Sequence, residues 1–431
     1  MIPRSTIPRS SGLVLLFVFC AAAAVAQDSA ERQTAAELFE QTYAAAGLDS
    51  ALARLSEALA DTTEPYAIDP YELGIGLPNR LVVRHEREAA LAVVQTLEPL
   101  FGDHPRYWQE LGLAHLRCGH LAETRAALSK AHELGNRPDL GWMLEHLDEL
   151  VALERLKAER EDRLVPGAAT GLVGPYLGQA PPGDVPEVFA PGLLNTTAHE
   201  YHISFAPDGR EIVFSRGGVG TLVTRWTDDG WTVPEVVHLI DERHLTEESN
   251  LTPDGRAIVF CGRADIQEPR LLYRAERTDQ GWGEPTALFP GMYATSTLAG
   301  ALYYTVEGEG RDYGAIVRRE WNGTSYGEPV VVPGEGINTD APDAHPWIAP
   351  NEDLLLFDSY REPGMGIFAS FRGPDGAWGR AVSLHDRLGI PPVGQPAMSH
   401  DLKYLFFCLA GDMYWVDAGF LAEVREESLR E

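Results

Sequence analysis

Basic residues are scarce: 35 Lys and Arg stand against 64 Asp and Glu, a formal charge of -29 over 431 residues. A partner that is itself a polyanion needs a basic stripe to displace its counterions, and none is present, so no nucleic-acid partner is expected. Cysteine is sparse as well. Cys20, Cys118, Cys261 and Cys408 are the whole complement, without a Cys-x-x-Cys spacing, which supports neither a disulfide framework nor a zinc knuckle. Beyond one stretch near the start, no run approaches the roughly 20 apolar residues that cross a bilayer, so no integral membrane segment is expected. Gly-x-Ser-x-Gly, the Walker loop, His-Glu-x-x-His and the dinucleotide fingerprint are all missing. The common hydrolase, phosphate-binding and cofactor classes therefore lack support, and no cofactor is identified.

The stretch near the start reads as an address. Arg4 and Arg9 precede the apolar run Gly12 to Val25, and Ala24-Val25-Ala26 has the small-x-small form that signal peptidase needs. Residues 1–26 are expected to be a cleaved signal peptide and the mature chain to be periplasmic or secreted. Cys20 follows bulky Phe19 where a lipid-attachment box wants a small residue, which speaks against a lipoprotein.

Residues 27–163 are rich in Ala, Leu, Glu and Arg, which lose little rotamer freedom in a helix. Leu38, Tyr43, Leu48, Leu52, Leu55 and Leu59 recur at helical spacing, with Gly47-Leu48-Asp49-Ser50 as a stop and restart. The clearest unit runs from Pro105 to Pro138. Trp108-Gln109-Glu110-Leu111-Gly112, with Ala131 further on, resembles the tetratricopeptide repeat, although His115 and Thr124 replace a usual Tyr and Ala. The resemblance implies antiparallel helices that approach closely at Gly112, and a surface for a protein or peptide.

After Val165 the texture changes. Gly and Pro become frequent, and short β-branched and aromatic runs alternate with turn signals, as in Glu211-Ile212-Val213-Phe214 and Ala257-Ile258-Val259-Phe260. Pro207-Asp208-Gly209-Arg210 aligns with Pro253-Asp254-Gly255-Arg256, and degenerate copies continue, so that closing aromatics fall at Phe214, Phe260, Tyr304, Phe357 and Phe407. Trp231, Trp282, Tyr326 and Trp378 mark edge strands in the same register. A period of about 50 residues with four short strands per unit is a β-propeller. Val185-Pro186-Glu187-Val188-Phe189 reads like the missing edge strand and is expected to complete the Phe407 blade. The overall expectation is multidomain: an all-α, tetratricopeptide-like region over 27–163, a linker over 164–180, an all-β propeller over 181–420 and a tail over 421–431. Five blades are favoured, six if Gly171 to Ala180 adds strands.

These repeats resemble the WD40-like propellers of the TolB family of envelope proteins. Gly174-Pro175-Tyr176-Leu177-Gly178-Gln179, the run His345 to Pro350 and the ending Asp412 to Asp417 carry the likeness, which covers about residues 170 to 420. It implies binding of protein, peptide or glycan at the cell envelope. Two repeats depart from the turn motif, with Leu298-Ala299-Gly300 and Pro350-Asn351-Glu352, which leaves the shape of those turns open.

Chemistry on a propeller belongs at the axis, where the innermost strands start. By register His199 and Glu200, Glu247 and Glu248, Asp343 and His345, and Gln395 are expected to converge there. Three readings stay open: a hydrated hydrogen-bonded channel, a site for a small ligand or divalent cation, and a catalytic centre. Arg216, Arg263 and Arg361 follow the closing aromatics and are read as inter-blade partners of acids such as Asp358, or as anion ligands. Asn195, Asn250 and Asn322 each begin a glycosylation sequon. No nucleophile and base stand together in a motif, so a non-enzymatic binding protein is favoured, with the helices as a second interaction surface. The alternative is a polysaccharide hydrolase or lyase using Glu200, Glu248, Asp343 or His345.

Overall fold

A computed structural model describes residues 33–61, 63, 66–135, 138–241, 245–263, 270–306, 314–361, 366–391 and 393–430. The expected signal peptide, residues 1–26, lies outside the described residues. The chain divides into two compact units, between Tyr71 and Glu72.

The first unit is a helical hairpin, α1 (Ala35–Ala46) and α2 (Leu48–Ala60). Thr34 starts it with a capping box: its hydroxyl accepts from Glu37 N and its own N–H donates to the Glu37 carboxylate. Gly47, at φ +81°, makes the break between the helices. Leu38, Phe39, Ala51 and Leu55 form the buried face.

In the second unit a π-helical turn (Glu72–Gly76) leads into α3 (Leu77–Val83), α4 (Arg87–Thr96), α5 (Glu98–Phe101), α6 (Pro105–Arg117), α7 (Leu121–Gly135), α8 (Pro138–Glu145) and α9 (Leu147–Glu161). Nine helices thus precede the β region among the described residues. The α6–α7 pair interlocks at Gly112, where an added Cβ would stand 2.7 Å from Leu128 Cδ2. Leu113, Leu116, Leu128, Leu140, Met143 and Leu147 make the core of this helical stack.

The rest is a five-bladed propeller. Blade 1 holds β2 (Glu200–Phe205), β3 (Glu211–Arg216), β4 (Gly220–Thr227), β5 (Gly230–Trp231) and β6 (Glu235–Val236), and blade 2 holds β7 (Leu245–Leu251), β8 (Ala257–Arg263), β9 (Leu271–Thr278), β10 (Gly281–Trp282) and β11 (Thr286–Pro290). Blade 3 is β12 (Met292–Ser296), β13 (Leu302–Thr305), β14 (Ile316–Arg319) and β15 (Val330–Val331). Blade 4 is β16 (Asp343–Ile348), β17 (Leu354–Ser359), β18 (Gly366–Phe371) and β19 (Val382–Ser383), followed by the short helix α10 (His385–Leu388). Blade 5 combines β20 (Gly394–Met398), β21 (Tyr404–Leu409) and β22 (Asp412–Asp417) with β1 (Glu187–Val188) from the front of the domain. Glu187 pairs with Trp415 and Val188 with Tyr414, so the ring is tied shut by both of its ends, as the sequence repeat implied.

The core is split among the seams between blades, because each strand sends alternate residues to opposite faces. In β8, Ile258 and Phe260 face blade 1 with Val213 and Val223, whereas Val259 and Cys261 face blade 3 with Leu302 and Tyr304. Burial on both faces explains why the strands read as apolar runs rather than as an alternating pattern.

Three points gain detail. The stretch Gly171 to Ala180 adds no blade: Tyr176–Gly178 is a 3-10 turn, and the preceding residues hydrogen-bond along Trp231 and Val233 on the edge of blade 1. Residues 421–428, read as a tail, form helix α11 (Leu421–Ser428), with Leu421 and Val424 buried against blades 4 and 5. The departing turns keep the shape of the others. Gly209, Gly255, Gly300, Glu352 and Leu402 each donate to the carbonyl three residues back at 2.8–3.0 Å, all at positive φ.

Candidate functional site

Each of the five innermost strands carries a β-bulge at the same register. Pairing slips after Tyr201, Glu247, Met292, Ala344 and Gly394, and His202, Glu248, Tyr293, His345 and Gln395 take φ between +46° and +56° there. A left-handed non-glycine residue costs roughly 1 kcal/mol or more. Five in one ring mark the axis as the built feature of the fold.

In blades 1, 3 and 4 the residue after the closing aromatic supports the ring residue of the next blade. Ser215 Oγ accepts from Glu248 N at 2.8 Å, Thr305 Oγ1 from His345 N at 3.1 Å, and Asp358 Oδ2 from Gln395 N at 2.8 Å. Cys261 holds the same position in blade 2 and directs its thiol to Glu248 Oε2 at 3.4 Å, while that oxygen accepts from Tyr293 N at 2.9 Å.

Four of these side chains, His202, Tyr293, His345 and Glu248, come together across the bore. The Tyr293 ring stands edge-on to His202, with centroids 4.7 Å apart, and to His345 at 5.0 Å, and its hydroxyl crosses to Pro396 O of blade 5 at 3.0 Å. His345 Nδ1 bonds Asp358 at 2.8 Å, and its Nε2 lies 3.8 Å from Glu248. Burial opposes charge on His345, but the Asp358 carboxylate, with Glu248 behind it, holds the imidazole above its ordinary range. His202 is the opposite case. Its Nε2 donates to Ser249 O at 3.1 Å, and burial pushes its pKa down to about 4. The axis is therefore a polar plug with an aromatic ring across it. Burial also raises the Cys261 thiol and the Tyr293 hydroxyl, so neither is primed as a nucleophile.

Of the residues expected at the axis, Glu248, His345 and Gln395 lie in this ring. Glu200 and Asp343 begin their strands and serve a second motif. In both Asn195-Thr196-Thr197-Ala198-His199-Glu200 and Asn338-Thr339-Asp340-Ala341-Pro342-Asp343, the Thr backbone and hydroxyl donate to the closing acid at 2.6–3.1 Å. That acid then takes an arginine of its own blade, Arg216 on Glu200 at 2.6 Å and Arg361 on Asp343 at 2.7 Å. These two arginines thus act within blades and not between them; the Arg263 side chain lies outside the described residues. Asn195 is fully buried and reaches Phe189 O, Met413 O and Met413 N, so this sequon is a structural clasp. His199 faces Arg106 and Arg117 at the seam with α6, where burial and those cations press its pKa down to about 3.

His202 and Tyr293 were not singled out in sequence. The signal was available for His202: it stands twelve residues before Phe214, as Glu248, His345 and Gln395 stand before their own closing aromatics. Tyr293 is eleven before Tyr304 and falls out of that count. For a metal, the axial donors do not converge. Among the described residues the groups whose ligand atoms come within 4.8 Å of one another are Glu88, Cys118 and His120, and His85, Glu161 and Asp162, all in or beside the helices.

A further feature is a cleft of about 440 Å³ between α8 and the crossover from blade 4 to blade 5, lined by Gly141, Trp142, Glu145, His385, Asp386, Gly389, Ile390 and Pro391. Trp142 is held by stacking on His146, with centroids 4.5 Å apart and planes at 21°.

No family model matches the chain, and no curated protein matches it. Among solved structures, a TolB candidate from Agrobacterium tumefaciens is 16% identical over 49% of this chain and 70% of its own, with a TM-score of 0.37. TolB from Acinetobacter baumannii is 12% identical over 54% and 59%, with a TM-score of 0.36. A gluconolactonase from Xanthomonas campestris is 13% identical over 56% and 98%, with a TM-score of 0.32. The likeness to TolB-like propellers is a distant one of structure.

Proposed function

We propose that the chain is an exported, non-enzymatic binding protein of the bacterial cell envelope that takes a peptide or glycan segment in the cleft between α8 and the blade 4–5 crossover. The observation that carries this reading is the cleft itself. Its volume falls in the range of ligand sites, and it combines the apolar faces of Trp142, Ile390 and Pro391 with the polar groups of Glu145, His385 and Asp386. Such a mixture lets a ring or an apolar side chain stack while hydroxyls or amides find hydrogen bonds. The acids favoured by the hydrolase alternative are committed elsewhere: Glu200 and Asp343 to arginines, Glu248 to the axial plug.

The test is equilibrium binding of purified protein to a panel of envelope-derived peptides and oligosaccharides, followed by tryptophan fluorescence. Trp142→Ala should weaken binding at least about tenfold, the loss of one well-buried aromatic contact. Glu248→Gln should leave it unchanged. Polysaccharide turnover that disappears in Glu248→Gln would overturn the reading in favour of the hydrolase.

A further inference from the structure

The turn between α6 and α7 gathers chemistry that the propeller does not use. Helix α6 ends in a Schellman motif: His120 N donates to His115 O and Gly119 N to Leu116 O, both at 2.9 Å, with Gly119 at φ +76°. This reversal fixes the backbone of His115, Cys118 and His120 within one tight loop. His120 is tied from the other side as well, because its carbonyl accepts from the Thr124 backbone and hydroxyl at the start of α7. Glu88, on α4, completes the group. Its carboxylate, the Cys118 sulfur and a His120 ring nitrogen all lie within 4.8 Å of one another.

The two nitrogens of His120 do different things. Nε2 faces Glu88 Oε1 at 3.6 Å, and Nδ1 lies 3.3 Å from Nδ1 of the buried His115. If His120 Nδ1 donates to His115, the Nε2 lone pair is left pointing at Glu88 and Cys118. A neighbour that fixes the tautomer of a ligating histidine is what metal sites require of the surrounding residues. The 3.6 Å separation is close to the roughly 3.4 Å edge of a tetrahedron with metal–nitrogen and metal–oxygen bonds near 2.1 Å.

We propose that Glu88, Cys118 and His120 bind a divalent transition metal ion, zinc above all, with His115 as the residue that positions His120. A thiolate beside an imidazole and one carboxylate selects borderline-soft ions over calcium or magnesium, which take oxygen ligands. Three protein ligands leave a fourth position for water, and exposed Glu88 gives the ion a way in. The bound ion would pin α4 to the α6–α7 turn. The other group, His85 with Glu161 and Asp162, is less suited, since the Arg87 guanidinium already sits on both acids.

The experiment is metal titration of the purified full chain with its thiols reduced, using zinc and cobalt(II). Zinc should bind at one equivalent per chain at this site and protect Cys118 from a thiol reagent. Cobalt should show a near-ultraviolet thiolate charge-transfer band and the strong visible bands of a tetrahedral ion. Cys118→Ser should abolish the charge-transfer band, and Glu88→Ala, an exposed change that leaves the fold intact, should weaken binding at least about a hundredfold. His115→Phe should keep the band and weaken binding roughly 10–100-fold, as loss of a supporting partner does. His85→Ala should change nothing. Absence of the charge-transfer band in the wild type, or equal affinity in the wild type and Glu88→Ala, would overturn the proposal.

Discussion

Acid should weaken the protein through His202, and the size of the effect follows from its position at the axis. The side chain has no solvent exposure, its Nε2 proton is given to Ser249 O, and Nδ1 has no hydrogen-bond partner among the described residues. Burial therefore keeps the ring neutral down to a pKa of about 4, against about 6.5 in an unfolded chain. As pH falls below 6.5 the unfolded state takes a proton that the native state refuses, so stability is lost across roughly 2.5 pH units at about 1.4 kcal/mol each, about 3 kcal/mol in all. His345 has the opposite sign. Its pKa is raised, so its contribution is fully present in acid and is lost as pH rises through its folded value. The assay is urea unfolding at pH 7, 5.5 and 4 for the wild type and for His202→Asn, which tolerates positive φ and keeps a donor for Ser249. The wild type should lose about 3 kcal/mol more than the variant between the two extremes. Parallel curves, within about 0.5 kcal/mol, would show that the imidazole is not buried neutral at the axis.

Gly112→Val should cost about 1–3 kcal/mol in denaturant unfolding, since even a Cβ would press on Leu128 in the α6–α7 interface. Asn195→Ala should cost about 2–3 kcal/mol or more, because it strands Phe189 O and Met413 N in a buried seam; mass spectrometry should also find Asn195 unglycosylated in folded protein from a glycosylating host. Lys157→Met should lower stability by about 3–5 kcal/mol by leaving the buried Asp412 and Glu154 without their cation. Adding Asp412→Leu to that variant should recover part of the loss, which a calorimetric melt of the two proteins will show.

The architecture was legible because its signals are local and repeated. The Pro-Asp-Gly turns, the closing aromatics and the Pro186 edge strand recur with one period, and period alone gives blade number and closure. Repetition also misleads where a position is reached by different residues. Gly300, Glu352 and Leu402 hold turns that lack the motif, because the position demands a positive φ and the surrounding strands impose it on whatever residue stands there. Glu352 gains compensation in being the shared acceptor of Tyr303, Arg318 and Arg372. The axial site was half legible. Glu248, His345 and Gln395 are polar at a fixed distance from a closing aromatic, but Tyr293, which fills the bore, looks like an ordinary strand aromatic and sits one residue out of step. The Lys157–Asp412 pair joins residues 255 apart, and no spacing rule reaches that far.

The closure of the ring explains where the helices are held. Strand β1 contributes only Glu187 and Val188 to blade 5, and so short a ladder, at about 1 kcal/mol net per hydrogen bond, does not offset the entropy of closing a loop of more than 200 residues. Several residues ahead of β2 in the chain are set against that same seam. Lys157 of α9 ends on Asp412 in the β21–β22 hairpin, Glu161 accepts from Thr197 N and Oγ1, Tyr176 packs on Tyr404 and Trp415, and Asn195 bridges to Met413. These contacts come from three successive segments between residues 157 and 197, and they grip blade 5 or the loop that leads into blade 1. Helix α9 and the segment after it therefore act as part of the clasp that shuts the propeller. On this account it is no accident that α3 to α9 belong to one compact unit with the blades, while α1 and α2 form another.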